Sequence, residues 1–202
     1  MKEMSRSYEV TKRMIDIALA VIVALVLLPF MPIIAYKIKR QSPGPLLFKQ
    51  LRTGKDGRPF WMYKFRTMHV NAEADTKQAT KDDVRKFAYG AWLRKHTIDE
   101  MPQLINVLKG EMSVVGPRPH MVKHTEDYAK LIPHFMERHA VKPGVTGLAQ
   151  ALGWRGDTPE LWMMEERLRH DLYYIEHRNT KMDLAIIRRS LGLFNKPQEH
   201  AH

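Results

Sequence analysis

Three observations predict an α+β, predominantly helical protein with an N-terminal re-entrant helical hairpin and a small β-hairpin. Nineteen consecutive residues, Ile17–Ala35, carry no charge and are interrupted by Pro29 and Pro32. Two short runs, Leu46–Arg52 and Phe60–Met68, flank a turn rich in glycine. Elsewhere apolar residues recur at three- and four-residue steps, the helical period. The expected architecture is that of a membrane-associated, monotopic protein.

The uncharged run would make roughly 28 Å of helix, close to the hydrocarbon thickness of a bilayer. Lys12 and Arg13 precede it; Lys37, Lys39 and Arg40 follow. Positive charge favours the cytoplasmic side, so both ends belong on one face. Each proline removes a helix hydrogen bond and favours a kink. A bent segment that enters one leaflet and returns satisfies both facts; the alternative is a buried core helix. No small-residue cleavage site follows, which argues against a signal peptide. Gln41-Ser42-Pro43-Gly44-Pro45 breaks the chain there.

Gly54-Lys55-Asp56-Gly57-Arg58-Pro59 reads as a hairpin turn between the two strands. By the two-residue period, Trp61, Tyr63 and Phe65 share a core-facing side, and Lys64 and Arg66 share the other. That basic side either lines an anion site or is simply wet. Residues 69–87 are polar and read as a mobile loop or exposed helix, with Asp82-Asp83 a solvated pair.

The centre of the chain is His96-Thr97-Ile98-Asp99-Glu100-Met101-Pro102-Gln103-Leu104, followed by Val115-Gly116-Pro117-Arg118-Pro119. Adjacent carboxylates can hold a hard cation such as Mg²⁺, or serve as nucleophile and acid/base. Arg118, held between two prolines, suits a phosphate because its planar fork binds two oxygens. Together these are parts of a phosphoryl-transfer site. The same residues also fit a structural reading. Thr97 and Glu100 match a capping box, or Asp99 is the N-cap with Pro102 in the first turn. Leu104, Val107 and Leu108 continue the apolar face, and Gly110 ends the helix.

His120, His124, His134 and His139 lack zinc-site spacing and read as packing or surface groups. Tyr128, Leu131, Ile132 and Phe135 form a helical stripe. Glycines 144, 147, 153 and 156 allow close backbone approach to a ligand. Around them Lys142, Arg155 and Gln150 are candidate contacts to a phosphorylated substrate. No P-loop is present, because its Gly-Lys-Ser/Thr ending is missing. Leu161, Met164, Leu168, Leu172 and Ile175 mark a core-facing helix. A last helix, Met182–Phe194, carries Leu184, Ile187, Leu191 and Phe194 on one side and lies either in the lipid interface or on the core. His200–His202 reads as a frayed tail.

The formal net charge of +11 implies an anionic partner: nucleic acid, phospholipid or a phosphorylated substrate. The absence of cysteine excludes disulfides, thiolate chemistry and Cys-ligated metals. No nucleic-acid recognition motif accompanies the charge.

In combination these motifs resemble the bacterial sugar transferase family, the monotopic phosphoglycosyl transferases. The resemblance rests on Lys12-Arg13, the apolar run broken near Pro29, Ser42-Pro43-Gly44-Pro45 and Tyr63-Lys64-Phe65-Arg66-Thr67-Met68. It continues through Asp99-Glu100-Met101-Pro102-Gln103, Gly116-Pro117-Arg118-Pro119, Lys142-Pro143-Gly144-Val145-Thr146-Gly147 and Asp171-Leu172-Tyr173-Tyr174. It implies transfer of a sugar 1-phosphate from a UDP-sugar to undecaprenyl phosphate, with UMP leaving, as a first membrane step of exopolysaccharide synthesis. It also implies Mg²⁺, held by Asp99 and Glu100, a covalent intermediate on Asp99, and for Glu100 the alternative role of positioning the acceptor. Arg118 would clamp phosphate, with Lys64, Arg66, Lys142, Arg155 and Gln150 as further substrate contacts. Residues 1–40 would form the membrane-embedded part and residues 41–202 the catalytic domain, on the cytoplasmic face of the bacterial inner membrane. Gly153-Trp154-Arg155-Gly156-Asp157-Thr158 is similar to members acting on UDP-glucose. This chain has Leu28-Pro29 where the family usually has Ser-Pro, and Leu148 where it often has tryptophan. Without an extra N-terminal membrane region it looks like the minimal catalytic unit. The competing readings are a basic membrane adaptor that binds anionic lipid and a diphosphate hydrolase using the same residues.

Overall fold

The computed structural model describes residues 5–70, 83–156 and 158–193. Helix α1 (Arg6–Leu27) starts at Ser5, whose hydroxyl accepts the Tyr8 N–H at 3.3 Å. A single 3₁₀ turn, Leu28–Phe30, joins it to α2 (Met31–Gln41). The cause is the proline pair. Pro29 and Pro32 donate no hydrogen bond, and each ring crowds the carbonyl four residues earlier.

The Arg6–Gln41 unit is long and apolar enough to cross a membrane, and 11% of its apolar window is buried. The burial lies at its two ends. Asp16 and Ala20 on α1 and Ile34 and Ile38 on α2 are buried. Between them Ile22, Leu25, Val26, Leu28, Phe30 and Ile33 are each at least 53% exposed. Both limbs are therefore bolted to the body, while the apolar middle is left without protein cover among the described residues. The basic flank before it makes some of the bolts. Lys12 pairs with Asp183 at 3.0 Å. Arg13 donates to the Val107 and Leu108 carbonyls at 2.6 and 2.8 Å, at the negative end of a helix.

Strands β1 (Leu47–Thr53) and β2 (Pro59–Phe65) form the expected antiparallel hairpin, with Lys49 opposite Tyr63 and Leu51 opposite Trp61. Asp56 and Gly57 take positive φ in the turn. The facing of β2 differs from expectation. Phe60 and Met62 are buried, Trp61 is 53% exposed, and Tyr63 lies under the ammonium groups of Lys49 and Lys109. Phe65 is nonetheless buried, because α2 and α3 (Ala88–Lys95) cover that end of the strand. With different neighbours covering each end, the strand has no single inner face. It also stops at Phe65 rather than Met68, which makes one isolated bridge to Lys86. Of residues 69–87, Asp75, Lys77, Lys81 and Asp82 lie outside the described residues. Asp83 holds Arg85 at 2.6 Å.

After α4 (Gln103–Lys109), which Gly110 ends with φ +82°, comes a second sheet that the sequence did not suggest. Strand β3 (Ser113–Val115) pairs in parallel with β4 (Gly144–Thr146). Three-residue strands are too short to show a period. This pair also corrects the reading of two glycines. A Cβ on Gly144 would sit 2.1 Å from the Gly116 nitrogen, and one on Gly147 would sit 2.2 Å from the Gly116 oxygen. Both admit another stretch of the same chain, not a ligand.

Helix α5 (Val122–Leu131) and the turn after it bury Ile132 and Phe135 and leave Leu131 exposed. Short α6 (Leu148–Ala151) precedes α7 (Leu161–His177), which buries Met164, Leu168 and Ile175 as expected. On α8 (Thr180–Leu193) the inward residues are Asp183 and Ile186, while Leu184 and Leu191 are 51% and 59% exposed. On that side Ile187 packs on the core while Leu184 and Leu191 do not; Phe194 and His200–His202 fall outside the described residues.

Candidate active site

Asp99 and Glu100 sit in a 3₁₀ turn, Ile98–Glu100, between α3 and α4. Neither capping register forms: Thr97 makes no side-chain cap, and Pro102 rather than Asp99 precedes α4. Thr97 instead adopts left-handed geometry, φ 58° and ψ 16°, which is rare for a β-branched residue. Ile98 and Met101, three residues apart in a 3₁₀ turn, eclipse each other and pack on the α2–α3 cluster. That leaves both carboxylates on the other side, each 5% exposed.

They border a cleft of about 530 Å³. Asp99 is the one acidic residue lining it among the described residues. Nine basic side chains face it, among them Lys64, Arg94, Arg118, Arg155 and Arg167. Glu100 lies just behind. Lys64 reaches its Oε1 at 2.8 Å, Arg118 the same oxygen at 3.1 Å, and Arg155 its Oε2 at 3.4 Å. Burial opposes ionisation of Glu100, but Arg118, Lys64 and Arg155 overcome it and hold the group well below the usual range. Asp99 behaves oppositely. Burial raises its pKa, Lys64 works against that, and the Glu100 charge adds to it. One carboxylate is thus a fixed anion that organises cations, and the other, buried at the cleft wall with its pKa raised, is the candidate for chemistry.

The Pro117-Arg118-Pro119 loop is held by its backbone. Gly144 N–H donates to the Pro117 carbonyl at 2.9 Å, and Arg138 Nη2 donates to the Arg118 carbonyl at 3.0 Å. Arg138 in turn pairs with Asp171 at 2.5 Å, both almost wholly buried, and donates to His120 Nδ1. Burial and the charges of Arg138 and Arg167 keep His120 well below its usual pKa, hence neutral. His139 is pushed down to about 4, chiefly by burial and then by Arg138.

Of the residues expected at the site, Asp99, Glu100, Arg118, Lys64 and Arg155 come together. Three do not act as expected. Arg66 lies on the cleft wall, but its guanidinium is spent on the Pro45 carbonyl at 2.7 Å and on Ser42. It staples the Ser42–Pro45 breaker to the end of β2. Gln150 is buried and donates to the Val145 carbonyl at 3.3 Å, away from the cleft. Lys142 lines a different cavity altogether. Residues not singled out from sequence also face the cleft. Arg94 Nη1 and Arg167 Nε are buried there without an acceptor among the described residues, as an anionic ligand would require. Arg167 and Asp171 were legible in one sense, since they stand three and seven residues after Met164, on its buried stripe.

A bacterial sugar transferase family model matches residues 7–196. The chain belongs to that family. It is 49% identical over 182 residues to a UDP-glucose:undecaprenyl-phosphate glucose-1-phosphate transferase of Xanthomonas campestris, covering 89% of this chain and 38% of that protein. An exopolysaccharide production protein of Rhizobium leguminosarum is 44% identical, over 88% of this chain and 92% of the relative. A UDP-N-acetylgalactosamine-undecaprenyl-phosphate N-acetylgalactosaminephosphotransferase of Aeromonas hydrophila is 41% identical, over 89% and 42%. The chain therefore spans well under half the length of the first curated relatives it matches. Within this family member, Asp99 and Glu100 are the donors a Mg²⁺ could use. Glu100 Oε2 carries one long contact, so it has a lone pair to spare. No cluster of three or more metal-binding side chains exists among the described residues.

Proposed function

We propose that this chain moves a sugar 1-phosphate from a UDP-sugar to undecaprenyl phosphate and releases UMP, with UDP-glucose the donor. The observation that carries the reading is Asp99, the one carboxylate that lines the cationic cleft among the described residues. The names of the family relatives support the acceptor and the donor class.

Asp99 Oδ attacks the β-phosphorus of the donor. The bond from that phosphorus to the bridging oxygen breaks, and UMP leaves with the oxygen. A phosphate oxygen of undecaprenyl phosphate then attacks the same phosphorus and frees Asp99. Two displacements replace one difficult step. Arg118, Lys64 and Arg155 meet the charge on the phosphoryl oxygens, and Glu100 keeps those cations in place. Mg²⁺, held by Asp99 and Glu100 with the substrate phosphates, would supply further charge neutralisation. The exposed middle of Arg6–Gln41 enters one leaflet of the inner membrane as a re-entrant bend, with the body on the cytoplasmic face. The exposed Leu184 and Leu191 rest at the interface. The product feeds exopolysaccharide assembly.

UMP release by purified protein in detergent tests this. The expected result is Mg²⁺-dependent UMP that needs undecaprenyl phosphate for turnover and favours UDP-glucose over UDP-N-acetylgalactosamine. Release of the free sugar phosphate without acceptor would favour a hydrolase instead, and no UMP from any donor would leave the adaptor.

The pH profile has a definite sign. The nucleophile must be ionised, and Lys64 lowers the pKa of Asp99. In Lys64→Met the acid limb of kcat/KM therefore moves to higher pH. An acid limb unmoved or moved downward would separate Lys64 from Asp99.

A further inference from the structure

A second cavity, of about 130 Å³, shares no lining residue with the Asp99 cleft. One wall is a single face of α1. Glu9, Lys12, Arg13 and Asp16 stand there at helical steps of three and four. Lys55 arrives from the β-hairpin turn, Lys142 from the approach to β4, and Arg178 from just past α7.

The charges around it do not balance. Glu9 faces Arg178 at 3.4 Å, and Lys12 is taken by Asp183 at 3.0 Å. Arg13 is spent on two carbonyls, and Asp16 accepts the Val114 N–H at 2.9 Å. Lys55 and Lys142 have no ion-pair or side-chain hydrogen-bond partner among the described residues. Lys142 is not a solvated surface lysine. A Cβ built on Gly110 lies 3.6 Å from its Nζ and 3.7 Å from Arg13 Nη2, so the two cations are near neighbours. Burial, and then the Arg13 charge, lowers the Lys142 pKa, with Lys55 adding to the effect against Asp16. Ser113, 1% exposed at the start of β3, also lines the cavity, with its hydroxyl beside the Asp16 carboxylate. A half-buried ammonium held next to a guanidinium is costly unless an anion joins them.

We propose that this cavity binds one phosphate group, either the phosphodiester of an anionic lipid headgroup or free inorganic phosphate, at a site separate from the Asp99 cleft. The volume suits a single tetrahedral oxyanion and excludes a nucleotide. Lys142 and Lys55 supply the donors. The location suits a headgroup too, because Asp16 directly precedes the apolar run and the cavity lies within about 10 Å of it along α1.

The test is the acylation rate of Lys142 in the whole chain, read by peptide mass spectrometry, with exposed Lys130 as internal reference. The protein is held in nanodiscs of phosphatidylcholine, with sodium phosphate or with sodium chloride of equal ionic strength. A second set contains phosphatidylglycerol without phosphate. Phosphate or phosphatidylglycerol should slow Lys142, but not Lys130, by about fivefold at near-saturating ligand. Slowing by phosphate in phosphatidylcholine identifies free phosphate as a ligand; slowing confined to phosphatidylglycerol identifies the headgroup. Lys55→Met should reduce the protection in either case. Equal rates in all conditions, equal slowing by chloride, or protection undiminished in Lys55→Met would overturn the proposal.

Discussion

Replacing Asp99 with asparagine lowers UMP release by at least about 10⁴-fold, the scale at which loss of a nucleophile is usually felt. The same substitution raises the melting temperature. At neutral pH the native fold holds a charge whose pKa burial has raised, beside the like charge of Glu100. Asparagine keeps the shape and removes the charge. Loss of activity with a raised melting temperature would place Asp99 in the chemistry and not in the framework. Retained turnover, or a falling melting temperature, would return it to a structural role. Glu100 should behave differently: Glu100→Ala strands Lys64, Arg118 and Arg155 around an empty centre, so stability and activity fall together.

The largest stability effect belongs to Asp171→Ala. Arg138 and Asp171 are each 2% exposed, and their ion pair at 2.5 Å supports the loop that carries Arg118. Removing one partner leaves a buried guanidinium uncompensated, at a cost of about 3–5 kcal/mol. The melting temperature should fall by about 6–20 °C. The double variant Asp171→Leu, Arg138→Met removes both charges and should recover much of the loss. Thermal melts of Asp171→Leu, Arg138→Met and the double variant check this. Additive losses would mean that the pair is not one unit.

Much of the site was legible because its signals are local. Adjacent carboxylates, an arginine between prolines and a proline-broken apolar run can each be read within a few residues. Asp99, Glu100 and Arg118 come from such signals, and the structure gathers them with Lys64 and Arg155. The errors came from residues whose partners lie far along the chain. Arg66, just past β2, was expected on its basic side, yet contacts with Ser42 and Pro45 consume it. Gly144 and Gly147 resemble ligand-approach glycines, but the approaching group is Gly116, 28 and 31 residues earlier. Lys142 follows the same logic, since the fold places it beside α1 at a different cavity. The parallel β3–β4 pair was illegible because its strands are shorter than any period that could mark them. Trp61 was misplaced because a two-stranded sheet has no uniform inner face. Helical stripes read better: Asp171 lies on the buried side of α7 at a position the period reserves for core, and a charge there is itself a sign of a built network.

The most direct test of the central claim is to incubate the purified protein with Mg²⁺ and UDP-glucose without lipid acceptor, quench it and map the covalent adduct by mass spectrometry. The account predicts a hexose phosphate on the peptide that contains Asp99. It should be lost on adding undecaprenyl phosphate and never form in Asp99→Asn. An adduct on another residue, or steady Mg²⁺-dependent turnover by Asp99→Asn, would contradict it.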